Sequence, residues 1–151
     1  MAGALMVVLS LVDLVTNVLP LQFGELQWRY GAWGLLAGFL LTPVLGMFML
    51  AAAAAVLVHG GALKTLWWIN LAVSVVLVLG SVMFVLDVLQ FRGAVPRGDL
   101  SRFDIGAAKA LLKHVTVAAA LFWLGRACRS AATRAATGRR GGGVLVGGPE
   151  G

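Results

Sequence analysis

Apolar residues gather into four long stretches, separated and followed by segments that carry most of the charge. The first covers residues 3–21 and closes on Pro20; at helical rise it is just long enough to cross ~30 Å of hydrocarbon. After a polar break from Gln22 to Arg29, the chain is apolar from Ala32 to Val58, which as one helix would overshoot the bilayer. Thr42-Pro43 divides that excess, because threonine is a good N-cap and proline favours the first helical position. The pattern predicts an interfacial amphipathic helix over 25–41, with Trp28, Tyr30 and Trp33 at headgroup level, and a second span over 43–59. A single kinked, tilted helix is the competing reading.

The third span is expected over 66–89, entered through Trp67-Trp68. A loop rich in Gly, Pro and charge follows. Ser101 and Asp104 then have the spacing of a helix start, and the fourth span is expected over 104–127. The fold class is therefore an all-α integral membrane protein with four transmembrane helices and an interfacial helix between the first two. Residues 1–137 form one domain, and the Gly-rich tail 138–151 is expected to be disordered.

Composition agrees with this reading. Hydrophobic residues make up 60% of the chain and charged residues 12%, with a mean hydropathy of +0.95, an excess that one soluble core of this size could not hide. The first stretch is read as a retained span rather than a cleaved signal. No Lys or Arg precedes it, Asp13 interrupts it, and no small-x-small cleavage site follows. The net charge of +6 does not point to nucleic acid, because the basic residues lie between and after the apolar stretches. With four spans, Lys64, Arg126, Arg129, Arg134, Arg139 and Arg140 share the side of the termini. Arg29, Arg92, Arg97, Arg102, Lys109 and Lys113 take the other. Discounting Lys109 and Lys113 as intrahelical places both termini in the cytoplasm, with a bacterial cytoplasmic membrane as the expected location.

Chemistry, if any, must sit on the few polar residues inside the spans. Ser10, Asp13 and Asn17 fall on one helical stripe that should face protein, since a lipid-facing carboxylate costs a few kcal/mol. Asp13 is read as a structural acid, with a proton or cation site as the alternative. Lys109 and Lys113 share a face of the fourth helix, and Lys113 is expected to reach the depth of Asp13 and pair with it. Asp87, one turn from the end of the third span, is expected to be an interfacial acid near Arg92. Asn70, Ser74 and Ser81 suit interhelical hydrogen bonds. Gly38, Thr42 and Gly46 recur every four residues and are candidates for close helix packing. His59 and His114 fall near opposite surfaces, so a shared haem is not expected. Cys128 is the only cysteine, which excludes an internal disulfide. No catalytic, cofactor-binding or metal-binding set is read from the chain.

Leu19-Pro20-Leu21-Gln22, then Trp28-Arg29, then Thr42-Pro43 with Gly46 after it, resembles small multispanning membrane proteins associated with cyanobacterial hormogonium polysaccharide systems. The likeness covers about the first third of the chain and implies an accessory membrane protein, with no catalytic residue carried over. The functional expectation is a non-enzymatic accessory or scaffolding subunit of a larger membrane complex. Its partners would be the lipid bilayer and either another membrane protein or further copies of itself, with no nucleic acid. The alternative is a small transporter or channel component using Asp13.

Overall fold

The computed structural model describes the backbone of residues 1–141 and the side chains of residues 1–137. Five helices follow in order: α1 (Ala2–Val18), α2 (Leu26–Phe39), α3 (Leu41–Val56), α4 (Gly60–Arg92) and α5 (Leu100–Gly141), with no strand among the described residues. Helices α4 and α5 are each long and apolar enough to cross a membrane. Helices α2 and α3 pass the same test together as one segment bent by 45°, and α1 is a shorter apolar helix.

Several expected boundaries move. Helix α1 stops at Val18 because Leu19, which precedes Pro20, is held extended at φ −76° and ψ 145°. Helix α4 begins at Gly60 rather than 66, and α5 begins at Leu100 rather than 104 and runs well past 127. Hydropathy marks only the part of a helix that suits lipid; backbone hydrogen bonding continues beyond it. Ser101 lies inside α5, whose first turn is closed by the Phe103 N–H donating to the Asp99 carbonyl at 3.0 Å. Helix α5 also continues over 138–141, where the tail was expected to begin, and residues 142–151 lie outside the described residues.

Pro43 does not open its helix. Helix α3 starts at Leu41, its cap residue is Leu40, and no side chain caps it, so Thr42 is not the N-cap. Proline acts here through what it lacks. With no N–H it cannot bond the Phe39 carbonyl four residues back, and its ring crowds that carbonyl. The helix breaks at that point, and α2 and α3 meet at 45°. The 25–58 region is thus closer to one kinked segment than to two elements separated by a loop.

Helices α4 and α5 pack antiparallel over most of their length and bury Leu63, Leu66, Leu77, Ala118, Leu121 and Cys128. At Gly125 the helices lie close, with room for a Cβ in ordinary contact with Trp67 and Asn70 at 3.4 Å. Helix α1 packs on α3 and α2, and its backbone does not come close to that of α5. Its contact with α3 is made at two glycines: a Cβ on Gly46 would lie 2.6 Å from the Gly3 carbonyl oxygen. In lipid such backbone approach is a main source of helix association. Gly38 has open space around it and Thr42 is exposed, so of the three only Gly46 lets a neighbouring helix approach closely.

The turn from α3 to α4 is short and strained. Val58 has φ +50°, a conformation that a β-branched residue rarely adopts. The His59 N–H donates to the Ala54 carbonyl at 3.0 Å and the Val58 N–H to the Ala55 carbonyl at 3.2 Å, the two bonds of a Schellman helix end. The motif usually places glycine where Val58 stands.

Candidate functional site

The charged centre of the molecule lies where the starts of α2 and α5 meet the end of α4. Arg29, in the first turn of α2, brings Nε to 3.2 Å and 3.3 Å from the two Asp87 carboxylate oxygens and Nη2 to 3.0 Å from Oδ1. Its remaining nitrogen, Nη1, donates to the Phe23 carbonyl at 3.0 Å. The Asp87 side chain is 4% exposed and that of Arg29 30%. One guanidinium therefore ties α2 to α4 and to the loop after α1. The planar fork of arginine suits this three-way use; a lysine ammonium would not reproduce it.

Aromatic rings close over the pair. Tyr30 stacks on Phe84 and Phe91 of α4 and on Phe103 of α5, with ring centroids 5.5, 5.4 and 5.2 Å away. Trp33 lies deeper, edge-on to His114 at 5.5 Å, with its indole seated directly on Gly80. Any Cβ at Gly80 would collide with that ring. Trp28 donates its Nε1–H to the Val18 carbonyl at 3.2 Å, fastening the end of α1. The rings of α2 thus serve helix packing as well as any headgroup contact. Beside the pair, Leu14, Val18, Phe23, Trp28, Trp33 and Met83 line an open apolar groove of about 470 Å³.

The polar residues singled out from sequence are dispersed. Ser10 is buried, whereas Asp13 and Asn17 are exposed, so the expected protein-facing stripe divides. The Asn17 amide donates to the Asp13 backbone carbonyl at 2.8 Å. Asp13 does not pair with Lys113. Both are exposed, on helices whose backbones do not come close, because the glycine contact holds α1 against α3. Lys109 is also exposed. Asp87 is buried against Arg29, and Arg92 pairs instead with Asp104 at 2.9 Å. Of the buried α4 row, Ser74 bonds across helices, donating to the Ala118 carbonyl at 2.8 Å; Asn70 and Ser81 bond within α4.

Arg29 and His114 were missed as members of this centre. His114 is fully buried, with Nδ1 2.7 Å from the Ala110 carbonyl and Nε2 without a partner. Its signal was available, since a histidine amid the apolar stretch of α5 must either reach water or pack. Arg29 offered less, because it reads as an ordinary loop cation. Among the described residues, no group of three or more His, Cys, Asp or Glu side chains is placed to hold a metal ion. The Arg29–Asp87 pair joins α2 to α4 as a clasp. Comparison with protein-family models, with curated proteins and with solved structures finds no match to this chain.

Proposed function

We propose that the protein is a non-enzymatic accessory or scaffolding subunit of a larger membrane complex. In this reading α1, the bent α2–α3 segment, α4 and α5 form four spans of a bacterial cytoplasmic membrane, with both termini cytoplasmic. At ~25 Å, α1 is slightly short for ~30 Å of hydrocarbon, a mismatch that local thinning absorbs. The accessory role implied by the likeness of the first third to hormogonium polysaccharide proteins fits the same reading.

One observation carries the proposal: Asp13 stands exposed on an apolar helix, without an ion-pair partner among the described residues. It lies five residues from the end of α1, roughly 7 Å from that end at helical rise. A short carboxylate cannot snorkel over that distance as lysine can. Facing lipid it would cost a few kcal/mol, so a cation from another membrane chain is its natural partner. A second copy supplies one. Leu14 shares a groove with Trp33, and the Trp33 ring meets His114, so Asp13 and Lys113 stand at similar depth on different outer faces. A two-fold axis along the membrane normal would preserve that depth.

Photo-crosslinkers at Val12 and Thr16, flanking Asp13, test the reading in native membranes. The expected result is a discrete crosslink to a membrane protein or to a second copy, lost in Asp13→Asn while the helical content is kept. Crosslinks to lipid alone would overturn it. Proton or cation flux in liposomes that disappears in Asp13→Asn would assign the protein to transport instead.

A further inference from the structure

The opposite end of the bundle carries a different feature. All five acids of the described residues (Asp13, Glu25, Asp87, Asp99 and Asp104) belong to the half that contains the α4–α5 loop. The other end holds Lys64, Arg126, Arg129 and Arg134, with no acid among the described residues there. Between the α3–α4 turn and the later turns of α5 lies a cavity of about 550 Å³, lined by Val58, Gly60, Gly61, Lys64, Trp67 and Arg129 among others.

Its two cations come from different helices and converge on one opening. The Arg129 guanidinium lies 4.8 Å over the Trp67 ring, which fixes its direction without neutralising its charge. Neither Arg129 nor Lys64 joins an ion pair among the described residues; both such pairs are at the far end. Among the described residues, no carboxylate lines the cavity. Helix α4 starts here without a side-chain cap, which leaves backbone N–H groups of its first turn for an acceptor. Apolar surface adjoins the charges, with Leu57 73% and Trp68 56% exposed. A ligand that fits is anionic at one end and apolar at the other.

We propose that this cavity binds the phosphate headgroup of an anionic lipid, held by Lys64 and Arg129 beside Trp67. The acyl chains run along the exposed apolar faces of α3 and α4. The site differs from general attraction of a basic tail to an anionic leaflet because two particular cations on two helices make it.

Native mass spectrometry of the delipidated full chain in detergent tests this, with phosphatidylglycerol as the probe and phosphatidylcholine as its zwitterionic control. One phosphatidylglycerol should bind in preference to phosphatidylcholine. Lys64→Ala with Arg129→Ala should weaken it by at least about tenfold, given the contribution expected of each basic residue. Arg126→Ala with Arg134→Ala removes equal charge from the same end outside the cavity and should change binding by less than about twofold. Equal losses in the two double variants would reduce the effect to diffuse surface charge and overturn the site. Displacement of the lipid by an equal concentration of inorganic phosphate would assign the cavity to free phosphate and overturn the lipid reading. Trp67→Leu gives a second test that retains both cations, and it should weaken binding by leaving Arg129 unplaced. Unchanged binding there and in the Lys64/Arg129 double would sink the proposal.

Discussion

Arg29 and Asp87, 58 positions apart in sequence, meet through three hydrogen bonds between one guanidinium and one nearly inaccessible carboxylate. Such a pair need not add net stability, because desolvating both ions offsets much of their attraction. Its loss on one side is a different matter. Asp87→Leu should destabilise the protein by about 3 kcal/mol by stranding the arginine, the low end of the usual range because Arg29 is partly exposed. Arg29→Met should do likewise, and the double substitution should recover part of the loss. Thermal unfolding of the four proteins in detergent checks this; strictly additive losses would mean that the two residues are not coupled.

Gly80 should be intolerant of any side chain. A Cβ there meets the Trp33 indole, whose ring also packs edge-on against His114. Gly80→Ala is expected to cost about 1–3 kcal/mol, the usual penalty for overpacking. Trp33→Leu in the same chain should relieve much of it. Melting curves without such rescue would mean that the indole is not the obstacle.

Val58 offers the reverse case. It occupies the left-handed position of a helix end where glycine is free of strain. Val58→Gly should stabilise the protein by roughly 1 kcal/mol, read as a raised midpoint of unfolding. A lowered midpoint would show that contacts of the valine outweigh the backbone strain.

The proposed four-span arrangement makes a topological prediction. Arg97 and Lys64 belong to opposite ends of the bundle, so cysteines at Arg97→Cys and Lys64→Cys should react with impermeant reagents from opposite sides of the membrane. Cys128 is 2% exposed and can be replaced by serine or alanine as background. With cytoplasmic termini, the Lys64 position is labelled from the cytoplasm. Labelling of both positions from one side would rule out the four-span reading.

Sequence by itself determined the solvent of this protein and the rough extent of its helices. Those follow from composition and from local rules: apolar length, the extended residue before Pro20, and the broken hydrogen bond at Pro43. These are properties of a few adjacent residues, and no distant contact is needed to produce them. Tertiary structure decided the partners. Asp87 could reach water or Arg92 by local geometry, yet the seating of α2 on Gly80 and under the Phe84–Phe91–Phe103 rings delivers Arg29 to it first. Equal depth made Asp13 and Lys113 a plausible pair, but Gly3 against Gly46 commits α1 to α3 and leaves the two on separate outer faces. Depth along a helix can be counted from sequence. The rotation and order in which helices pack depend on where two distant backbones can approach most closely, and that is settled only when all five are assembled.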